Sequence, residues 1–445
     1  MRVLMLSQFY PPILGGEERF VRDFSAALAA RGHEVSVATF AQPGYPAFEY
    51  DGAVGVHRIP SSTARAAWLY SSASHTHAPP FPDPEATWAL RRIIARERPA
   101  IVHAHNWLIH SFLPLKAWSG AKLVLTLHDY SLACAKKKLL YRGAHCSGPA
   151  PQKCLGCAAE HYGPAKGFPT AIANRALGAL ERRAVDLFLP ESQAVAVGNG
   201  LVGGNAPYEV IPVFVPDALG VPSDETGVAE YVAQLPSDDF LLFVGAFGSY
   251  KGVDVLLRAY SALRDGVRDG PGAVPPLVII GYETTEYPVA TTALPPGVTV
   301  LKNWPHAAVM AAWRRSLIGL VPSVWAEPFG LVALEAMASG RPVIASRIGG
   351  LTDIVLDEET GLLVPPGDVA ALRAALARLL ADPALRERLG QAGRRRVAEF
   401  QAAAVLPRIE RAYRALLANR PRGAGARTDG RPAALATARA AREKD

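Results

Sequence analysis

A chain of 445 residues exceeds the usual size of one domain and predicts two folded units of roughly 200 residues each. With 50% apolar and 20% charged residues it is neither disordered, collagen-like nor a coiled coil, and no apolar run approaches the roughly 20 residues of a membrane-spanning helix. Of the net charge of +7, most sits in residues 419–445, where seven basic residues face three acids, so the body carries no dense basic face and nucleic acid is excluded as a partner.

The opening MRVLMLSQFYPPILGG is too brief in apolar length for a signal peptide, and a cytoplasmic protein is expected. Residues 3–6 form a first strand, which Pro11 and Pro12 break. Phe20, Val21, Phe24 and Leu28 then recur at helical spacing up to Gly32, and 35–39 is a second strand. Strand, crossover helix and strand make a right-handed parallel unit of a doubly wound sheet. A helix over 88–96 and strands at 101–103 and 123–127 extend it. Near 195–207 the sequence turns glycine-rich and poor in large apolar residues, marking a boundary. The alternation restarts with strands at 209–212, 240–244, 277–280, 317–321 and 342–345 and a helix over 253–263, and closes with helices over 369–380, 383–389 and 405–417. The composition beyond Asn419 predicts disorder. Two such α/β domains in tandem place the carboxyl ends of both sheets at one crevice, where chemistry is expected.

Four loops leave those strands with suggestive residues. Gly15 and Gly16 open the first helix, where backbone N–H groups can approach a phosphate or sugar; a tight turn is the alternative. There is no G-x-G-x-x-G, and the second strand ends in TFAQ without an acid, which argues against a dinucleotide. His128 and Asp129 end the strand LTLHDY, with His103 and His105 at the end of its neighbour; a strand-end histidine is often only a hydrogen-bonded structural residue. Lys251 lies in the glycine-rich VGAFGSYKG, whose first glycine is Gly245, and starts a helix. A cation there opposes the helix dipole, which suggests an anionic ligand; a solvated surface lysine is the alternative. In WAEPFGLVALEAMASG, Glu327 precedes a helix whose free N–H groups at Phe329, Gly330 and Leu331 face an anion such as a diphosphate. Glu335 falls on or beside its apolar stripe, where a ribose diol would satisfy it; a capped surface helix with Glu335 solvated is the alternative.

These motifs, with VHAHNW and GLLVPPGD at 361–368, resemble the retaining glycosyltransferases of family 4, over nearly the whole chain up to about Leu417. The resemblance implies an α/β GT-B fold of two facing Rossmann-like domains. Its expected layout is an acceptor domain over 1–203 with a cysteine-bearing insertion at 130–165, a nucleotide-sugar domain over 204–395, a helix over 396–418 crossing back to the first domain, and a basic tail over 419–445. It implies Gly16 near the donor, His128 beside the transferred sugar, Lys251 on the diphosphate, Glu327 on the sugar hydroxyls and Glu335 on the ribose. The donor would be a nucleotide sugar, UDP- or GDP-linked in the first place, used without a catalytic metal and with the leaving phosphate taking the acceptor's proton. The acceptor would be a polysaccharide, glycolipid or metabolite, including a lipid-linked one met at the inner membrane surface. A GT-B epimerase or phosphorylase and a non-catalytic nucleotide-sugar sensor are the other readings. Three departures stand out: Ala246 where family members often carry arginine, Val213-Phe214 in place of Asn-Gly, and Gly281-Tyr282-Glu283 in place of a Gly-Asp-Gly-like turn.

All four cysteines, Cys134, Cys146, Cys154 and Cys157, fall in one segment spaced C-x11-C-x7-C-x2-C. A cytosolic setting disfavours disulfides, and the spacing suits tetrahedral structural zinc; an iron–sulfur cluster, disulfides and free thiols are the alternatives. Lys136, Lys137, Lys138 and Arg142 in the same segment form a basic lobe that could meet an anionic acceptor at a membrane surface, or a solvated charge run.

Overall fold

The structure, a computed structural model, describes residues 1–13, 15–64, 77–221, 226–266, 274–284, 288 and 294–418; the expected disordered tail at 419–445 lies outside them. In chain order the first strands are β1 (Arg2–Leu6), β2 (Glu34–Phe40), β3 (Phe48–Asp51), β4 (Val54–Ile59), β5 (Ile101–Ala104) and β6 (Lys122–Leu127). A short hairpin, β7 (Leu140–Tyr141) and β8 (Ala144–His145), precedes β9 (Leu187–Pro190). Then follow β10 (Leu241–Ala246), β11 (Leu277–Tyr282), β12 (Val298–Lys302), β13 (Ile318–Val321), β14 (Val343–Ser346) and β15 (Gly361–Val364).

They form two sheets, ordered β3-β4-β2-β1-β5-β6-β9 and β12-β11-β10-β13-β14-β15, with β7–β8 apart. Only the β3–β4 ribbon within them is antiparallel. Parallel sheets need cover on both faces, and central strands such as β1, β10 and β13 are accordingly near-continuous apolar runs. The Gly16–Ala30 helix buries Phe20, Val21, Phe24 and Leu28 on the first sheet, and the Val253–Asp265 helix buries Val255, Leu256, Ala259, Tyr260 and Leu263 on the second.

Each sheet reverses its strand order once, at β1/β5 in the first and at β10/β13 in the second. Loops leaving adjacent strands at such a reversal diverge to opposite faces and leave a crevice. The Gly15-Gly16, His105, Lys251 and Glu327 loops all leave these four strands.

The expected second-domain strand at 209–212 is a correction. That segment runs beside β9 of the first sheet, with Glu209 N–H donating to Phe188 O (3.0 Å) and Ile211 N–H to Pro190 O (3.1 Å). The edge of β9 offers unpaired backbone groups, and the segment satisfies them.

The Ala402–Ala418 helix returns to the first domain. Val405, Leu406, Ile409 and Tyr413 are buried, and the Tyr413 hydroxyl meets His103 Nδ1 at 2.5 Å. Glu410 accepts two hydrogen bonds from Arg31 (2.7 and 3.0 Å) and lies 3.0 Å from His33 Nε2. Hydrogen bonding from Arg31, then from His33, outweighs burial and holds the Glu410 carboxyl down at about 2. A depressed carboxyl stabilises the fold above its unfolded value near 4.5, and that contribution is lost as pH falls from there towards 2. The melting temperatures of wild type and Glu410→Gln should therefore differ by a constant amount above pH 5 and converge below pH ~4. A gap that persists unchanged at low pH would refute the linkage.

Candidate active site

In the second domain β10 leads through a single 3-10 turn, Ser249–Lys251, to the Val253–Asp265 helix. Gly252 between them has φ +74°, and an added Cβ would lie 1.9 Å from the Pro322 carbonyl oxygen. This close approach sets the Lys251 loop against the loop leaving β13. Across it, Lys251 Nζ donates to Glu327 Oε1 at 2.6 Å, and Ser323 Oγ donates to the same oxygen at 2.7 Å. Glu327 is buried, and its backbone carbonyl is fastened by Gly350 N–H at 2.7 Å. The Leu331–Ala338 helix starts directly after, its Gly330 cap at φ +113°.

In the first domain neither Gly15 nor Gly16 adopts a positive φ, so no left-handed turn calls for them. A Cβ on Gly16 would meet nothing within 4 Å, which leaves its backbone open to the crevice. His128 stands beyond β6 with both ring nitrogens engaged, Nδ1 with Glu191 Oε2 and Nε2 with His105 Nδ1, each at 3.0 Å. Burial works against a charge on His128, but the Glu191 hydrogen bond and the charges of Glu191, Glu17 and Asp129 raise its pKa. His105 is pushed well below its ordinary value by burial and by His103 and His128. His105, disfavoured as a cation, and His128, drawn towards the charged form by Glu191, thus share one proton along the Nε2–Nδ1 contact. His103 is buried between Tyr413 and Thr126 and has a bracing role.

The two domains enclose a cavity of about 330 Å³. Gly16, His128, Lys251, Glu327, Phe329, Gly330 and Leu331 line it together; Gly15, Gly245 and Glu335 are not among its lining residues. Glu335, expected to want a ligand's hydroxyls, is met by the protein itself, with His306 Nε2 at 2.8 Å and Trp313 Nε1 donating at 3.4 Å.

Sequence reasoning missed Glu17, Phe20, Glu191 and Ser323 as lining residues. Glu17 accepts from Asn106 Nδ2 at 2.6 Å; burial, assisted by Glu18, outweighs His128, Asn106 and Lys137 and pushes its pKa up to about 7. Glu191 follows β9 as His128 follows β6, and that position was the available signal.

Ala246 lies in an apolar cluster with Leu140, Tyr250 and Trp325, so the cysteine-bearing segment of the first domain packs on the Lys251 loop. The basic run, read either as a lobe meeting an anionic acceptor or as a solvated charge run, is largely folded back: Lys136 is buried, Lys137 Nζ lies 4.1 Å from the Trp107 ring centre and Lys138 Nζ 5.2 Å from that of Tyr250. The four cysteines are free thiols of intermediate burial. Among the described residues no three cysteine, histidine or carboxylate side chains stand close enough to share an ion, so the expected tetrahedral arrangement is not already assembled. No helix among the described residues is long and apolar enough to cross a membrane.

Comparison with known proteins agrees with this architecture. The family model for a glycosyl transferase 4-like domain matches residues 15–200, and that for glycosyl transferases group 1 matches residues 232–396. Glycogen synthase of Mycobacterium tuberculosis is 28% identical over 426 residues, covering 89% of this chain and 90% of that protein. D-inositol 3-phosphate glycosyltransferase of Arthrobacter sp. is 31% identical over 390 residues, covering 85% of each. Among solved structures, sucrose-phosphate synthase of Thermosynechococcus elongatus superposes with a TM-score of 0.69 at 24% identity, covering 94% of this chain and 99% of that one. HepE of Anabaena in complex with UDP-glucose gives 0.62 at 17% identity, covering 93% and 100%. With two facing parallel sheets, a cleft at both switch points and relatives aligned along most of its length, the chain belongs to the family 4 glycosyltransferases of GT-B fold and is a glycosyltransferase enzyme.

Proposed function

We propose that the cleft binds a nucleoside-diphosphate sugar on the second domain and transfers the sugar, with retention of its anomeric configuration, to a hydroxyl of an acceptor held by the first. The observation that carries this reading is the convergence of Lys251, Glu327 and the start of the Leu331–Ala338 helix with Gly16 and His128 around one cavity. A diphosphate in front of that helix meets unpaired N–H groups, the positive end of the dipole and the Lys251 ammonium. Breaking the sugar–phosphate bond puts negative charge on the departing oxygen, so fixed positive charge there lowers the barrier. Glu327, oriented by Lys251 and Ser323 through Oε1, has Oε2 to accept from a sugar hydroxyl. Glu335 and His306, beyond the cavity lining, are assigned to the ribose.

The carboxylates around the cavity already have partners: Glu191 holds His128, Glu17 holds Asn106, and Asp129 Oδ1 accepts from Ser131 N–H. This supports attack from the departing phosphate's own face, with that phosphate accepting the acceptor's proton, over a carboxylate nucleophile. HepE is described with UDP and with UDP-glucose, and the curated relatives act in glycogen and inositol-phosphate glycosylation. We therefore assign a UDP-sugar donor and a polyhydroxylated sugar, cyclitol or glucan acceptor.

Melting the protein with UDP-, GDP-, ADP- and dTDP-glucose tests the donor: a ligand at 100 times its Kd stabilises by about 2.7 kcal/mol, and one nucleotide should stand out. No shift with any of the four, and no nucleotide release with or without acceptor sugars, would overturn the reading. Release only with acceptor separates transfer from epimerase, phosphorylase or sensor behaviour.

A further inference from the structure

The cysteine-bearing segment is a small lobe that adds Tyr130, Leu132 and Leu139 to the first domain's core. Its hairpin has two residues in each strand, and it is followed by the Pro151–Tyr162 helix, whose one fully buried residue is Ala158. A hairpin of that size is marginal in water, so its position depends on what it packs against. It packs Leu140 on Ala246, Tyr250 and Trp325.

The four cysteines reach one place from three parts of this lobe. Cys134 lies in the turn before β7, Cys146 just after β8, and Cys154 and Cys157 one turn apart on the helix; all four line a single cavity of about 30 Å³. That is room for about one water-sized particle. Cys146 and Cys157 make only long contacts to carbonyl oxygens, at 3.5 and 3.7 Å. Lys136 and Lys153 also line the cavity and would offset a negatively charged cluster.

We propose that Cys134, Cys146, Cys154 and Cys157 bind one zinc ion that staples this lobe against the donor loop. Binding moves no electrons: up to four S–H protons pass to solvent as four sulfur–zinc bonds form. A soft set of four thiolates suits tetrahedral zinc, at about 2.3 Å per bond. The thiols stand around the cavity rather than at ligand spacing, so the ion draws them inward, as is usual where metal binding completes a small fold. A disulfide between Cys154 and Cys157 is disfavoured, because Cβ atoms three residues apart on a helix lie about 5–6 Å from each other against the roughly 3.5–4.5 Å a disulfide needs. This inference is independent of the donor and acceptor assigned above.

The test uses the full chain, expressed with supplementary zinc and purified with a reductant and no chelator. Elemental analysis should find about one zinc per chain. Cobalt substituted for zinc should show the visible absorption of a tetrahedral thiolate site. A Cys154→Ser, Cys157→Ser double variant should lose the metal. Should that variant aggregate, zinc titration of chelator-stripped wild type against a chromogenic competitor gives the same stoichiometry. Absence of zinc after both routes, iron with acid-labile sulfide instead, or a mass lowered by two hydrogens per disulfide would overturn the proposal. Loss of zinc with UDP-sugar binding intact would leave the proposed function standing, so the two fail separately.

Discussion

Replacing Lys251 by alanine should lower transfer by about 10²–10³-fold, the usual cost of removing one fixed donor from developing charge. The ammonium meets the diphosphate both before and during bond cleavage, but charge grows on the departing oxygen only in the transition state. The loss should therefore fall mainly on kcat. Lys251 is 24% exposed and Glu327 keeps Ser323 as a partner, so the melting temperature should change little. Nucleotide release at saturating donor, with circular dichroism melts of both proteins, reads the two effects separately. Turnover within threefold of wild type would remove Lys251 from the mechanism. Lys251→Arg, which keeps charge but not the compact ammonium, should recover part of the rate.

The second large effect is expected at a residue that touches no substrate. Gly252→Ala puts a methyl 1.9 Å from the Pro322 carbonyl and forces a non-glycine residue to φ +74°. Backbone must move, at a cost of about 3 kcal/mol or more, which lowers the second domain's melting temperature by roughly 6–12 °C. Because Lys251 precedes Gly252 and Ser323 follows Pro322, the shift also parts the two loops that orient Glu327, so kcat should fall as well. Gly16→Ala is the matched control, since its added methyl meets nothing within 4 Å and the fold should melt as before. Equal melting of Gly252→Ala and wild type would show that the loops yield without cost.

Much of this arrangement could be read from the residues. Runs such as Val3 to Leu6, and apolar residues at helical spacing such as Phe20, Val21, Phe24 and Leu28, are local signals, and they fall on β1 and the first helix. Some elements that escaped lack such signals, although β9 (LFLP) and β15 (GLLV) are apolar runs that also went unread. β3 and β12 alternate between half-buried and exposed positions at sheet edges and show no apolar run. Segment 209–212 looks like a strand but is used as an edge partner of β9, a choice made by tertiary pairing. In the site, Lys251 and Glu327 stood out because each follows a strand and opens a helix, where charge is conspicuous. The Glu191–His128–His105 chain did not, since it joins residues from three different strand ends. The need of Glu335 for hydrogen-bond donors was legible; that His306 and Trp313 provide them was not, because both lie on a neighbouring helix.

The returning Ala402–Ala418 helix has a consequence for synthesis. Arg31, His33 and His103 belong to the first quarter of the chain, yet their partners Glu410 and Tyr413 come late in it, 379 positions after Arg31 in the case of Glu410. While the ribosome is still at work, the first domain must wait with an uncovered seam. Ribosome-bound fragments ending before residue 400 should accordingly recruit chaperones that the finished chain no longer needs.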